Sequence, residues 1–137
     1  MVLVDSNILI DVFTDDPKWQ PWSATQLACV AEREDLAINP VIYAELAAGF
    51  ERESQLERAL KPWPLARLAL PYTAGFKAGQ AFLRYRREGG MRRSPLPDFY
   101  IGAHAESERL PLLTRDPARY RRYFPKLRLL APDVEQP

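Results

Sequence analysis

One cysteine (Cys29) and one histidine (His104) are all that 137 residues supply of the softer metal-ligating side chains. A lone cysteine forms no internal disulfide, zinc knuckle or redox pair, and a lone histidine builds neither a two-histidine metal site nor a two-histidine nuclease mechanism. Glycine is scarce too, at six residues, and neither GxxxxGK nor GxGxxG occurs, so the usual phosphate loops are missing. No apolar run approaches the ~18 to 20 residues of a membrane span. The amino terminus MVLVDSN lacks the basic flank and apolar length of a signal peptide. These absences predict a soluble, cytoplasmic protein with no membrane partner, and the length fits one domain, 1–137, burying roughly 68% of its unfolded surface.

Charge is balanced overall at +1 but not along the chain. Residues 1–66 carry eleven acids against five bases, whereas residues 67–137 carry seven against fourteen. A basic half beside an acidic half suits a polyanion-binding rim around an acidic site, and equally suits solvated helix faces.

Apolar periodicity and thirteen prolines divide the chain. Val2 to Val4 reads as a buried strand, and Ile8 to Phe13 as a helix after the Asp5-Ser6-Asn7 turn. Trp22, Leu27, Val30 and Ala31 have helical spacing. Leu36 to Ile38 is a second strand, and Asn39-Pro40 opens a helix predicted to reach Arg52, with asparagine as cap and proline at the first position. Leu56 to Leu60 is helical, and Leu65 to Leu70 is short enough to be helix or loop. Tyr72 to Arg87 forms a longer helix with Phe76, Gly79, Phe82 and Leu83 on one side, stopped at Gly89-Gly90. Met91 to Pro97 is a basic loop, and Asp98 to Glu108 a helix. Pro111 to Thr114 gives a third strand, Arg115-Asp116-Pro117 a turn into Tyr120 to Phe124, and Leu127 to Leu130 a last strand before a proline-bearing tail. Strands alternating with helices and reading as continuous apolar runs predict an α/β fold with a parallel sheet.

In such folds, sites form beyond the carboxyl ends of the strands. Asp5 follows the first strand and Asp116 lies two residues past the third, so both reach the same rim. Glu45 sits about one and a half turns into the helix after the second strand, within an apolar stretch. Asp98 opens its helix on the face shared with Ile101, Gly102 and Ala105. Each aspartate also has an ordinary use, as a cap, a first-turn residue or a turn former. Two carboxylates about 5 Å apart repel by about 3 kcal/mol at an effective dielectric of 20, so four cannot stay ionised together without protons or a divalent cation. An all-oxygen set suits Mg²⁺ or Mn²⁺ rather than Zn²⁺. Asp11, one and a half turns into the first helix, reads as a surface or supporting acid.

At this point the sequence resembles a known family. VLVDSNILID, INPVIYAEL, RREGGMRRSPLPDFYIGAHAE and LLTRDPARYRRYFPKLRLLAP are similar to the motif blocks of PIN-domain ribonucleases, most closely the VapC-type toxins of type II toxin-antitoxin pairs. The resemblance implies a PIN-like, Rossmann-like three-layer sandwich with a short parallel sheet between helices. It also implies Mg²⁺ or Mn²⁺ dependence, endoribonuclease activity, a homodimer and inhibition by a cognate VapB-type antitoxin. By position it makes Asp5, Glu45, Asp98 and Asp116 the catalytic and metal-binding acids, with Asn7 and Thr114 as polar supports. The segment from Glu51 to Leu70 is the least family-like.

Arg86, Arg92 and Arg93 flank the Gly89-Gly90 break, and Arg115 and Arg119 surround the last acid. They are candidates to hold RNA phosphates, with Arg115 the first choice. Tyr85, Tyr120 and Tyr123, interleaved among them, suit base stacking or the core. His104 reads as packing and Cys29 as core. Trp19, Trp22 and Trp63 are either buried or part of a groove for an antitoxin helix. Two alternatives stay open: a non-catalytic RNA-binding or assembly module, and a metal-dependent phosphatase using Asp5 as nucleophile, disfavoured because Asn7 interrupts a DxD start.

Overall fold

Val2, Leu3 and Val4 are β-branched or apolar and buried without exception, which places β1 (Val2–Val4) at the centre of a sheet. The structure, a computed structural model, describes residues 1–132; the rest of the expected proline-bearing tail lies outside the described residues. After β1 come α1 (Ser6–Phe13), α2 (Gln20–Ala31), β2 (Leu36–Ile38), α3 (Pro40–Ala47), α4 (Glu53–Leu60) and β3 (Leu65–Arg67). The chain continues through α5 (Tyr72–Arg87), α6 (Pro97–Ser107), β4 (Leu112–Leu113), α7 (Ala118–Tyr123) and β5 (Leu129–Leu130).

Every strand pairing is parallel, in the order β3-β2-β1-β4-β5. The chain therefore winds outward from β1 in one direction through β2 and β3, then returns to the other side of β1 for β4 and β5. The winding reverses between β1 and β4, the point where a doubly wound sheet opens a crevice at its carboxyl edge. Helices flank the sheet, as the α/β expectation required.

Several boundaries depart from the sequence expectation. Residues Pro40 to Arg52 do not form one helix: α3 stops at Ala47, and Ala48 to Phe50 turn through tight contacts from the Gly49 amide to Leu46 and from the Phe50 amide to Ala47. α4 then starts at Glu53, its entry held by Gln55 accepting from the Arg52 amide at 3.1 Å. Leu65 to Arg67 is neither helix nor loop but an edge strand, because β2 offers its backbone in register from Leu36↔Leu65 to Ile38↔Arg67. α5 does not bury the side carrying Phe76 and Leu83. It packs through Ala74, Ala78 and Ala81, whose small side chains allow close approach to α6, and leaves Phe76 71% exposed. Cys29 is exposed, not core, because α2 turns Leu27 and Val30 inward instead. Gly89, at φ +95°, ends α5 in a conformation natural to glycine.

Candidate active site

Asp5 leaves β1 at the reversal point and caps α1, its Oδ1 accepting from the Ser6 amide at 2.8 Å. The other oxygen, Oδ2, accepts from Thr114 Oγ1 at 2.9 Å, Tyr120 Oη at 2.8 Å and Asn7 Nδ2 at 3.3 Å. Thr114 follows β4 directly, so the two strands on either side of the reversal deliver the donor and the acceptor. Asp5 is 3% exposed. Burial pushes its carboxyl up to about 7, aided by the charges of Asp98 and Glu45 and opposed by the hydrogen bonds from Tyr120 and Thr114.

Asn39 caps α3 by accepting from the Ile42 amide at 2.9 Å, and this aims Glu45 toward the same rim. Glu45 Oε1 accepts from Ser6 Oγ at 2.8 Å. Its carboxyl is also raised, by burial first and by Asp98, against the Ser6 hydrogen bond. Asp98 lies in the first turn of α6, where the helix N-terminus favours an anion. Arg119 Nη1 donates to its Oδ2 at 3.1 Å, and the Tyr120 hydroxyl lies 3.4 Å from its Oδ1. Asp5, Glu45 and Asp98 therefore share one electrostatic neighbourhood.

Asp116 is placed differently. Its amide donates to Thr114 Oγ1 at 3.1 Å, which ties its backbone to the same hub, but its side chain is 69% exposed and lies 3.5 Å from Arg115 Nη1. Asn7 Nδ2 also donates to Thr114 Oγ1 at 3.2 Å, and Asn7 Oδ1 accepts from the Arg115 amide at 3.2 Å.

Two of the five arginine candidates are already engaged by acids. Arg119 holds Asp98, and Arg115 Nε donates to Asp11 Oδ2 at 2.7 Å while its guanidinium lies over Trp19. Arg86 Nη1 donates to the Arg92 carbonyl at 2.7 Å, bracing the loop that leads into α6, and Arg92 and Arg93 are exposed.

The sequence reading missed three participants. Ser6 links Asp5 to Glu45. Asp11, read as a surface or supporting acid, is buried and also accepts from Ser23 Oγ at 2.7 Å. Tyr120, assigned to stacking or core, is buried with its hydroxyl between two acids; an aromatic four residues past the last acid gives no signal of where its oxygen goes.

The donor set is all oxygen, and the charge of Asp98 adds to burial in raising the proton affinity of Asp5 and Glu45, which fits a hard divalent cation. Among the described residues, however, no three such side chains converge closely enough to hold an ion. Protein donors hold the acids instead. The chemistry of the set fits Mg²⁺ or Mn²⁺, while its spacing is that of carboxylates satisfied by the protein.

No curated protein matches the chain by sequence. Solved structures do resemble it. A chain of the VapBC2 complex from Rickettsia felis, bound to a DNA fragment from its promoter, has a TM-score of 0.74 at 22% identity, covering 97% of this chain and 100% of that one. A chain of VapBC-1 from nontypeable Haemophilus influenzae gives 0.71 at 20% identity, covering 96% and 98%. One from DNA-bound VapBC of Salmonella typhimurium gives 0.68 at 23%, again covering 96% and 98%. These likenesses show the fold. The PIN domain family matches residues 2–125, nearly the whole described structure, with Asp5, Glu45, Asp98 and Asp116 all inside the matched span. The chain belongs to the PIN domain family.

Proposed function

We propose that this protein is a metal-dependent endoribonuclease, the toxin component of a VapBC-type toxin-antitoxin pair, cutting RNA phosphodiester bonds with water as the nucleophile. The observation that carries the reading is the placement of Asp5, Glu45 and Asp98 around the sheet's reversal point, within reach of one another's charge and with raised proton affinity at Asp5 and Glu45. Carboxylates whose surroundings raise their proton affinity cluster at functional sites, which supports reading this arrangement as one.

Asp5, Asp98 and Glu45 would hold Mg²⁺ or Mn²⁺, with Asp116 as the fourth acid from the adjoining turn. A cation bound there supplies charge neutralisation and a more acidic water. The chain's own residues set the stage for it. Thr114 and Asn7 fix the Asp5 carboxylate, Ser6 fixes Glu45, and Arg119 fixes Asp98. Arg86, Arg92 and Arg93 precede the Asp98 helix and suit flanking phosphates. Attack by water leaves a 5′ phosphate and a 3′ hydroxyl.

A single PIN unit, a homodimer, a VapB-type antitoxin partner and a cytoplasmic setting complete the proposal. The partner chains named in the similar structures support the antitoxin. The apolar residues left exposed on α5, Tyr72, Phe76 and Leu83, are surface that a second protein chain would cover. No helix among the described residues is long and apolar enough to cross a membrane.

One observation favours the non-catalytic alternative: Asp116 is turned out beside Arg115 and the carboxylates do not close on an ion. The phosphatase reading loses ground, since a nucleophilic Asp5 would have to leave four hydrogen-bond donors and a buried position. The experiment is cleavage of end-labelled structured RNA with Mg²⁺ or Mn²⁺, with chelator, and with the Asp5→Asn variant. Metal-dependent fragments ending in 5′ phosphate, lost in the variant, are expected. Intact RNA with well-folded, antitoxin-free protein overturns the nuclease in favour of the binding module.

A further inference from the structure

α7 is a helix of six residues, and two adjacent residues of it reach the acids. Arg119 takes Oδ2 of Asp98, and the Tyr120 hydroxyl lies 2.8 Å from Asp5 Oδ2 and 3.4 Å from Asp98 Oδ1. No other side-chain hydrogen bond joins the β1 acid and the α6 acid to one common group among the described residues. The ring below the hydroxyl is clamped: Tyr120 is 1% exposed, and Gly102 of α6 leaves so little room that a Cβ there would lie 3.1 Å from the Tyr120 ring. A phenol is uncharged at physiological pH, so the hydroxyl is a neutral donor.

We infer that Tyr120 is a positioning residue for the acid centre, its hydroxyl setting the separation of Asp5 from Asp98. Two carboxylates from different elements repel, and Asp98 sits in the first turn of α6 with its carboxylate contacted by the Arg119 and Tyr120 side chains. A guanidinium alone restrains Asp98 without relating it to Asp5. A neutral donor reaching both adds no charge that would repel a cation, and it resists the splaying that repulsion would produce. The one phenolic proton is shared in a three-centre hydrogen bond, mainly with Asp5 at the shorter contact and weakly with Asp98.

The inference rests on the proposed metal-dependent site and deepens it by naming what spaces its acids. Its test is Mn²⁺ binding to the full chain, read by the electron paramagnetic resonance of free Mn²⁺, for the native protein, Tyr120→Phe, Asp98→Asn and the double variant. Tyr120→Phe keeps the buried ring. The expected result is about tenfold weaker Mn²⁺ binding in Tyr120→Phe. Cleavage should recover at saturating Mn²⁺ with KM for RNA unchanged, a split that general loosening of the fold would not give. In the Asp98→Asn background the second substitution should cost almost nothing, since a neutral amide no longer repels Asp5 and the hydroxyl then has no splaying to resist. Equal Mn²⁺ affinity in the native protein and Tyr120→Phe, or full additivity in the double variant, overturns the positioning role while leaving the metal site intact. Absence of Mn²⁺ binding by the native protein overturns both.

Discussion

Arg115 Nε and Asp11 Oδ2 lie 2.7 Å apart, joining the turn after β4 to the middle of α1 across more than a hundred residues of chain. The acid is 1% exposed, and the base rests over Trp19. Arg115 is thus spent on the fold, and the phosphate-binding role first assigned to it from sequence is the less economical use of its charge. Arg115→Ala would strand a buried carboxylate with only Ser23 as donor, which costs about 2 to 4 kcal/mol. Urea denaturation should show that loss, while Arg93→Ala, at an exposed site, should leave stability within about 0.5 kcal/mol and weaken RNA binding instead.

The acids should not contribute equally. Asp98→Asn and Glu45→Gln are expected to lower the cleavage rate by about a hundredfold or more at unchanged secondary structure, as removal of an acid-base or ligand group commonly does. Asp116→Asn, at the exposed position beside Arg115, should cost at most about tenfold. Single-turnover cleavage at fixed Mn²⁺ orders the three, and an Asp116 effect as large as that of Asp98 would mean the turn swings inward when substrate binds.

His104 makes stability depend on pH. Asn39 gives its carbonyl oxygen to the Ile42 amide, so its Nδ2 faces His104 Nδ1 at 2.9 Å and that nitrogen must accept. The ring is then neutral with its proton on Nε2, which is buried without a partner among the described residues. Burial holds its proton affinity below the ordinary value, and Glu108 offsets this only in part. The unfolded chain therefore binds this proton more readily than the folded one, and the histidine's contribution is lost as pH falls below about 6.5. Asp5 pulls the other way: with a folded value of about 7, its protonation favours the folded state as pH drops from 7 toward 4. The His104 part is isolated by comparing the native protein with His104→Asn, whose stability gap should narrow between pH 7.5 and 5.5.

Gly102 lets α6 and α7 touch. A methyl group there would fall 2.5 Å from the Phe124 ring and 3.1 Å from that of Tyr120. Gly102→Ala should cost about 1 to 3 kcal/mol in urea denaturation, because a packed core must shift to admit the extra carbon. It should also weaken Mn²⁺ binding, since the displaced ring carries the hydroxyl between Asp5 and Asp98.

Solution mass should respond to α5. If the exposed Phe76 and Leu83 lie in a homodimer, Phe76→Ser should lower the mass measured by light scattering without changing the circular dichroism. A native protein that stays monomeric at high concentration would assign that face elsewhere.

Much of this was legible in the residues themselves. Val2 to Val4 and Leu36 to Ile38 are short, wholly apolar and followed by capping residues, and a parallel sheet is what such runs build once helices separate them. Asp5, Glu45, Asp98, Asn7 and Thr114 could be placed at one rim because local signals fix them: a strand end, an Asn-Pro helix entry, a first helical turn. Local signals fail where a residue's state depends on a distant partner. Leu65 to Arg67 is a strand only because β2 lies beside it, and Phe76 and Leu83 of α5 face outward because its alanines are the residues turned toward α6. Arg115, Asp11 and Tyr120 acquire their roles from contacts spanning about a hundred residues. Sequence alone set the sheet, its rim and the acids upon it, through periodicity and capping; tertiary structure alone decided which polar atoms meet there, because hydrogen bonds between remote segments exist only after the chain has closed.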